Sequence, residues 1–223
     1  MEIEQVITAD GSHTLFLPEM DEYYHSINGA IQESRHVYID AALNRCLKDC
    51  VSVLEMGFGT GLNALLTALE TEKRKMKVVY TTLEKYPLSS EIIKTLNYSG
   101  ENEDIFHKIH SLEWGKSKEV TPFFQLNKIQ IDFNDFDFSG QYDVVYYDAF
   151  APDKQPQVWS QELFNKLFLS MKWEGILTTY CAKGAIRRMM QQAGFTVERI
   201  PGPPGKREML RAIKSTSPKR KQL

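Results

Sequence analysis

Cysteine is scarce in this chain, and what the sequence lacks narrows the class of protein. Three cysteines stand among 223 residues, an odd number without paired spacing, which argues against a disulfide framework and is typical of a reducing compartment. No run of about 18 apolar residues is present, and the N-terminal Met1-Glu-Ile-Glu-Gln lacks the basic start and apolar stretch of a secretory signal. We therefore expect a cytoplasmic protein with no membrane partner.

Patterns typical of metal binding are also missing. Cys46 and Cys50 are four positions apart, but no nearby cluster of His or Cys completes a set of zinc ligands. Asp132, Asp135 and Asp137 are close in sequence but lack the residue order of an EF-hand loop. We expect no bound metal.

The composition that remains is that of a globular protein with unevenly distributed charge. Hydrophobic residues make up 42% and charged residues 25%, and the length suits one α/β domain with a small appendage. Residues 183–223 contain eleven Lys or Arg and two Glu, so this segment carries +9 and the rest −11 within a total of −2. A basic end on an acidic body would suit a polyanion held beside a site for a cationic cofactor. A solvated helix face followed by a disordered tail explains the same charges equally well.

The most informative stretch is residues 51–63, Val-Ser-Val-Leu-Glu-Met-Gly-Phe-Gly-Thr-Gly-Leu-Asn. A short apolar run enters a glycine cluster and a helical pattern leaves it, which predicts a strand, a tight turn and a helix. Glycines permit positive φ and let a ligand approach the backbone closely. A dinucleotide fingerprint would need glycine at position 62, where Leu62 stands.

The pattern from Glu55 to Gly61, Glu-x-Gly-x-Gly-x-Gly, resembles the first motif of class I S-adenosylmethionine (SAM)-dependent methyltransferases. In those enzymes the acidic residue at the end of the strand faces the cationic methionine part of the cofactor. The alternative is a glycine-rich turn without a ligand.

Alternating strand and helix patterns follow, which predict an α/β fold with a parallel sheet and helices on both faces. The resemblance to class I methyltransferases implies a Rossmann-like, mostly parallel sheet of seven strands that ends in a hairpin. Residues 99–127 are a polar insertion without a clear pattern. The predicted strands are 51–55, 77–84, 128–133, one from residue 142 that leads to Asp148, 175–181, 195–200 and 208–213. The predicted helices are 36–47, 62–73, 88–97, 160–171 and 183–193.

We divide the chain into three parts. Residues 1–45 form an N-terminal extension, with a hairpin around Asp10-Gly11 and an aromatic and charged stretch over 21–38 that is typical of a lid. Residues 46–214 form the methyltransferase domain. Residues 215–223 form a basic tail that we expect to be disordered.

Three acidic residues follow predicted strands. Glu84 comes 23 positions after Gly61, close to the offset at which such folds place a carboxylate on ribose hydroxyls. Asp135 could hold the adenine amino group. Asp148 follows a buried strand and reaches the carboxyl edge of the sheet, where open α/β folds bind ligands. The alternatives are a surface salt bridge for Glu84 and a turn cap for Asp148.

Asp148 has the chemistry that methyl transfer to an amine requires. An alkylamine is mostly protonated at neutral pH, and only the neutral form has a lone pair that can attack the methyl group. A carboxylate at the sheet edge could accept an amine N–H, orient the lone pair and take the proton. We therefore predict that Asp148 is catalytic.

Five stretches in order now resemble one family, the tRNA 5-methylaminomethyl-2-thiouridine methyltransferases, over about residues 24–214. The resemblance implies that the chain uses SAM to methylate 5-aminomethyl(-2-thio)uridine at wobble position 34 of tRNA. The stretches are Glu33-Ser-Arg-His-Val, residues 55–63, Glu84-Lys-Tyr-Pro-Leu88, Asp148-Ala-Phe-Ala-Pro-x-x-x-Pro156-x-x-Trp159 and Lys206-Arg-Glu-Met-Leu-Arg211.

The same resemblance assigns the site residues. The catalytic residues would be Asp148, at the target amine, and Glu33, which would shape the uridine pocket. SAM would lie against Glu55, Gly57, Gly59, Gly61, Asn63, Glu84 and Asp135. The residues for the tRNA substrate would be Phe150, Lys206, Arg207, Arg187 and Arg188.

Many members of this family continue into a C-terminal flavin-dependent oxidase that generates the amine. This chain resembles the stand-alone form, so we expect a separate enzyme to supply the aminomethyl uridine. Two other functions stay open. One is a polyamine aminopropyltransferase, which shares the fold and the acidic strand ends but would be expected to have a more acidic pocket. The other is a non-catalytic RNA-binding subunit that keeps the SAM fold.

Overall fold

The computed structural model describes residues 3–215. The chain begins with a small antiparallel sheet of its own, formed by β1 (Glu4–Ile7), β2 (His13–Leu17) and β3 (Glu22–Tyr23). Gly11 has a φ of 81°, and the Asp10 carboxylate accepts a hydrogen bond from the Ser12 amide at 3.0 Å. This turn closes the β1–β2 hairpin and confirms the one predicted around Asp10-Gly11.

The predicted helix over 36–47 is wrong in its bounds and type. The helical segment begins earlier as α1 (Ala30–Ser34), continues as a π-helical stretch (Arg35–Asp40), and is followed by a 3₁₀ turn (Leu43–Arg45). The consecutive residues 37–39 of the π-helical stretch are all buried, because this stretch packs against both the helix after the glycine motif and the central sheet. An ordinary amphipathic α-helix would bury one face only.

Within residues 3–215 the central sheet has eight strands, one more than predicted, in the order β10-β11-β9-β8-β4-β5-β7-β6. The five strands from β9 to β7 are parallel, and antiparallel pairs close both edges. The strands are β4 (Cys50–Met56), β5 (Lys77–Glu84), β6 (Lys118–Thr121), β7 (Phe124–Gln130), β8 (Tyr142–Tyr147), β9 (Met171–Thr179), β10 (Thr196–Pro201) and β11 (Glu208–Ile213). The predicted class, a mostly parallel α/β sheet with a terminal hairpin, is confirmed.

The extra strand comes from the insertion over 99–127, which the sequence pattern left without structure. It contains a helix and β6, and β6 pairs with β7 across a tight turn. The strand predicted at 128–133 is displaced toward the N-terminus, because Phe124 and Leu126 already alternate into the core. The helix predicted over 88–97 is reduced to one turn. The remaining helices are α2 (Leu62–Arg74), α3 (Ser90–Ile93), α4 (Glu103–Ser111), α5 (Gln161–Ser170) and α6 (Gly184–Ala193).

The sheet has a buried core on each face. Residues of α2, α4 and the segment around Tyr38 cover one face, and α5 and α6 cover the other. Alternate residues of β4 divide between them, with Val51 and Val53 on the α2 face and Leu54 and Met56 on the α5 face. This alternation places Glu55 on the α2 face.

In residues 3–215 no helix is long and apolar enough to cross a membrane. Apart from Ser215, the tail predicted to be disordered lies outside the described residues.

Candidate active site

A cleft of about 430 Å³ lies at the carboxyl ends of the parallel strands. Its floor is the glycine loop after β4, one wall is formed by the residues after β5 and β7, and the other by the residues after β8 and β9. Residues 22–27 of the N-terminal segment and Lys206 from the β10–β11 loop complete it. The cleft therefore lies where ligands bind in open α/β sheets.

The glycine loop joins the ends of three strands. The Gly57 and Phe58 amides donate to the Leu83 carbonyl at 3.0 and 3.1 Å. Gly57 has a φ of 101°, and a Cβ atom on it would be 2.5 Å from the Asp148 carbonyl oxygen. Any other residue would collide with the backbone of the β8 end, so this glycine sets how closely the two strand ends approach.

Glu84 belongs to the cleft and supports the loop. Its Oε2 atom accepts a hydrogen bond from the Gly59 amide at 3.0 Å, and its Oε1 atom accepts one from the Tyr86 amide at 2.9 Å. Each oxygen keeps lone-pair capacity for a further donor. The carboxylate is therefore fixed in orientation and still available to a ligand.

Asp135 is exposed and does not line the cleft. Two residues that the sequence analysis did not select, Asp132 and Phe133, line it instead. The Asp132 carboxylate accepts from the Lys85 Nζ atom at 2.8 Å and from the Asn134 amide at 2.9 Å. The 3₁₀ turn that starts at Phe133 directs Asp135 to solvent.

Asp148 is half-buried and faces the cleft. Its Oδ2 atom accepts a hydrogen bond from Asn63 Nδ2 at 2.8 Å. Burial raises the pKa of Asp148 from 3.8 to about 6, against the hydrogen bonds from Tyr38 and Asn63, which lower it. The carboxyl is thus oriented by the Asn63 side chain, and its pKa lies close to neutrality, as that of a general base does.

Glu33 and Lys206 also line the cleft. The Glu33 Oε1 atom lies 2.7 Å from the Lys206 Nζ atom, and its Oε2 atom accepts from the Ser26 amide at 2.7 Å. The Lys206 ammonium also lies 4.2 Å from the centroid of the Tyr180 ring. The β10–β11 loop is therefore attached to the N-terminal segment across the cleft.

Three aromatic side chains, Tyr24, Phe150 and Tyr180, also line the cleft. Phe150 lines the cleft, and the Tyr24 ring meets it edge to face at a centroid distance of 5.1 Å. The Tyr180 hydroxyl donates to the Ala149 carbonyl at 2.8 Å. Neither Tyr24 nor Tyr180 was predicted as a site residue from the sequence; the signal for Tyr24 is its position in the stretch described as a lid.

The structure brings together Glu33, Gly57, Gly59, Glu84, Asp148, Phe150 and Lys206 in the cleft lining. The other predicted site residues lie outside that lining: Glu55, Gly61, Asn63, Asp135, Arg187, Arg188 and Arg207. Glu55 and Asn63 are buried behind the loop. Gly61, with a φ of 73°, precedes the first residue of α2. The roles predicted for these residues stay predictions.

Four of the eight basic residues in residues 183–215 have acidic partners. Lys183 pairs with Asp153, Arg199 with Glu208, Lys206 with Glu33 and Arg211 with Glu198. Lys214 is buried and donates to the Met171 carbonyl at 2.7 Å. Within residues 3–215, Arg187, Arg188 and Arg207 form no ion pair. Lys219, Arg220 and Lys221 lie outside the described residues.

Similarity to known proteins agrees with this site. A family model described as S-adenosyl-L-methionine-dependent methyltransferase matches residues 112–215. The tRNA 5-methylaminomethyl-2-thiouridine biosynthesis bifunctional protein MnmC of Leptospira borgpetersenii is 32% identical over 215 residues, covering 89% of this chain and 33% of the relative. The protein of the same name from Campylobacter hominis is 29% identical over 208 residues, covering 89% of this chain and 31% of the relative. The chain thus spans about a third of the length of these relatives.

Two solved structures share the fold. MNMC2 from Aquifex aeolicus superposes with a TM-score of 0.79 at 24% identity, covering 97% of this chain and 71% of the other. Spermidine synthase from Thermotoga maritima superposes with a TM-score of 0.58 at 12% identity, covering 97% and 73%. At these identities the two structures establish the fold alone. Together, the family model and the sequence relatives confirm the predicted family resemblance and the predicted cofactor: the chain is similar to the S-adenosyl-L-methionine-dependent methyltransferases and to about a third of the length of the MnmC proteins.

Proposed function

We propose that this chain transfers a methyl group from SAM to the primary amine of 5-aminomethyl(-2-thio)uridine at wobble position 34 of tRNA. The product is 5-methylaminomethyl(-2-thio)uridine. The observation that carries the proposal is Asp148, a carboxyl that accepts from the Asn63 side chain and faces the cleft beside the glycine loop. The tRNA substrate follows from the names of the relatives and from the five matching stretches.

The cleft fits the cofactor. Its volume of about 430 Å³ lies in the range of small-molecule sites. Glu84 has acceptor capacity for ribose hydroxyls, and Asp132 and Phe133 line the adjoining wall, where we had expected Asp135. When bound, SAM supplies an electrophilic methyl group on a sulfonium.

Asp148 would act on the amine. An alkylammonium has no lone pair, so the reacting amine has to be neutral when the new N–C bond forms. The ionised Asp148 carboxylate would accept an amine N–H, direct the nitrogen lone pair at the methyl group, and take the proton that the product ammonium releases. Glu33, Lys206 and Phe150 would form the pocket for the uridine ring.

The charge in the cleft suits such a substrate. Glu22, Glu33, Glu84, Asp132 and Asp148 line it against Lys85 and Lys206, and both lysines are paired with carboxylates of the lining. The lining therefore has a net charge of −3 when all groups are ionised. A negative lining favours a sulfonium and an amine, while the phosphates of tRNA would meet Arg187, Arg188 and Arg207 outside the cleft.

The test uses two tRNA pools with labelled SAM, one with 5-aminomethyl and one with 5-carboxymethylaminomethyl wobble uridine. We expect labelled 5-methylaminomethyl uridine from the first pool only, because this reaction has no step that removes a carboxymethyl group. We therefore also propose that a separate enzyme supplies the amine, in the cytoplasm where tRNA is found. Asp148→Asn is the matched control for background methylation.

The negative lining also fits a free polyamine, so an aminopropyltransferase is the second candidate. The same protein is incubated with putrescine or spermidine and labelled decarboxylated SAM. Transfer to a polyamine with no label in either tRNA pool would overturn the proposed function. SAM binding without any transfer would favour the non-catalytic RNA-binding subunit.

A further inference from the structure

Glu55 is the acidic residue of the glycine motif, but its carboxyl does not line the cleft. It is fully buried on the α2 face of β4, between its register neighbours Thr82 on β5 and Tyr146 on β8. The Asn63 side chain of α2 lies within hydrogen-bonding reach of the same carboxyl. Glu55 therefore belongs to a closed polar cluster beneath the first turn of α2.

If Glu55 is ionised, this cluster has more buried hydrogen-bond acceptors than donors. Glu55 Oε2 accepts from the Thr82 hydroxyl at 2.6 Å, and Asn63 Nδ2 donates to Asp148. Glu55 Oε1 and Asn63 Oδ1 are both buried and have no hydrogen-bond partner among the described residues. Both atoms are acceptors in a carboxylate and an amide, and an unpartnered buried acceptor is costly.

We propose that Glu55 is a protonated positioning residue whose Oε1–H donates to Asn63 Oδ1 and thereby turns the Asn63 amide group toward Asp148. One proton gives a hydrogen bond to both unpartnered oxygens, Glu55 Oε1 and Asn63 Oδ1. It also leaves a lone pair on Oε1 for the Tyr80 hydroxyl, which is within reach of the carboxyl and likewise lacks a partner in residues 3–215. Asn63 then presents its N–H to Asp148, and the Asp148 carboxylate is held in one orientation.

The surroundings of the two acids favour this distribution of the proton. Burial raises the pKa of Glu55 from 4.5 to about 8, against the hydrogen bonds from Thr82 and Asn63. The titratable groups facing Glu55 are Tyr80, Tyr146 and Asp148, and none of them is a cation. Asp148 is opposed by burial and the nearby charge of Glu33, which raise its pKa, but the Asn63 N–H and the charge of Lys206 stabilise its ionised form, and Glu55 has no such cation.

The rival arrangement is a flipped amide, with Asn63 Nδ2–H donating to an ionised Glu55 and a protonated Asp148 donating to Asn63 Oδ1. It would put the proton on the acid that faces the cleft and leave no base there. The two arrangements differ in which carboxyl carries the proton, and this can be measured without cofactor or substrate.

Infrared spectroscopy of the full chain at pH 7 provides that measurement. We expect the C=O stretch of a buried protonated carboxyl in the unmodified protein and in Asp148→Asn. We expect this band to be lost in Glu55→Gln and to fade in the unmodified protein as the pH rises through about 8. Absence of the band at pH 7, or its disappearance in Asp148→Asn, would overturn the proposal.

A pair of variants tests the positioning role, which rests on the proposed methyl transfer. The amide of Glu55→Gln can donate to Asn63 Oδ1 and accept from Thr82, so we expect SAM affinity and kcat within about threefold of the unmodified protein. Glu55→Leu cannot donate, and we expect kcat to fall at least about tenfold, with less change in SAM affinity and a shift in the acid limb of the pH–rate profile.

If Glu55 were an ionised contact to the cofactor, Glu55→Gln would lose more than about 30-fold in SAM affinity. Loss of tRNA methylation in every variant and in the unmodified protein would count against the proposed function and leave the infrared result intact.

Discussion

At the residue scale the proposed chemistry rests on Asp148, and its neighbours explain its state. Asn63 donates to it, and burial brings its pKa up to about 6. A base in this range is ionised at neutral pH and still accepts a proton from the substrate. Glu33 and Lys206 line the same cleft as an ion pair that the two residues, 173 positions apart in the chain, form only after folding.

Replacing Asp148 by Asn tests the base directly. The Asn oxygen can still accept from Asn63, so we expect SAM affinity within about threefold of the unmodified protein and kcat reduced by about 10²–10⁴-fold. In the unmodified enzyme, kcat/KM should fall as the pH drops below about 6, because the pKa of Asp148 is about 6 and only the ionised form accepts a proton. Calorimetry with SAM and single-turnover methylation measure the two quantities. A variant that keeps more than half of kcat would contradict the assignment of Asp148.

The glycine loop and the end of β8 form one unit at the element scale. The Asp148 amide donates to the Met56 carbonyl at 3.0 Å, and Gly57 lies directly against the Asp148 carbonyl oxygen. The glycine loop and Asp148 are therefore coupled through backbone contact. A shift of either strand end would move both.

Comparing the free energies of unfolding of Gly57→Ala and Gly115→Ala should show how much of the loss at Gly57 comes from steric overlap with Asp148 and how much from backbone strain. Both positions have positive φ, 101° and 77°, so both alanines cost about 1–2 kcal/mol in backbone strain. The added Cβ at 57 would be 2.5 Å from the Asp148 oxygen, whereas nothing lies within 4 Å of a Cβ at 115. We expect Gly57→Ala to lower the free energy of unfolding by about 1–3 kcal/mol more than its control, and to weaken SAM binding as well. If urea unfolding shows the same decrease in the free energy of unfolding for both variants, the loop moves away from β8 without an energetic cost.

At the scale of the whole molecule, folding determines which charges stay uncompensated. The C-terminal segment is strongly basic in sequence, but most of its cations in residues 183–214 are paired or buried. Three arginines, Arg187, Arg188 and Arg207, are without an acidic partner within the described residues. These are the cations with the least local compensation, and so the best candidates for phosphate contacts.

Arg188→Ala and Arg207→Ala should each weaken tRNA binding and lower the slope of log Kd against log salt by somewhat less than about 1. The matched control is Lys118→Ala, an exposed cation on β6 at the other edge of the sheet. We expect no change of slope in the control, and unchanged SAM affinity in all three variants. Filter binding at several salt concentrations measures the slopes. Identical slopes in all variants would show that tRNA lies elsewhere.

The pH dependence of the free energy of unfolding should reflect the protonation of Glu55. Its pKa is raised from 4.5 to about 8 by burial, so the folded state keeps a proton that the unfolded state has already released between these values. The free energy of unfolding should therefore fall, relative to Glu55→Gln, as the pH rises from about 4.5 to about 8, by up to about 1.36 kcal/mol per pH unit. Asp148 contributes with the same sign up to about pH 6, but it is present in both proteins and cancels. Parallel stability curves for the two proteins would contradict a protonated Glu55.

Local patterns in the sequence were sufficient for most of the central strands and helices and for the centre of the site. The apolar run, the glycines and the helix of residues 51–74 follow from side-chain periodicity and backbone sterics, which act between near neighbours. Asp148 could be predicted because a residue that follows a buried parallel strand must emerge at the carboxyl edge of the sheet. Glu84 could be predicted as a cleft residue for the same reason. The number of strands could not, because β6 is short and is defined by its pairing with β7.

The tertiary structure decided which side chains meet. Asp132 and Phe133 rather than Asp135 line the cleft because a 3₁₀ turn sets the direction of each side chain after β7. The pairing of Lys206 with Glu33, and the burial of Glu55 beneath α2, depend on contacts between segments that are distant in the chain. The sequence by itself determined the fold class, the glycine loop and the strand-end carboxylates, since these depend on local periodicity and chirality. The charge and orientation of each site residue depend on its neighbours in space, and only the folded chain brings those neighbours together.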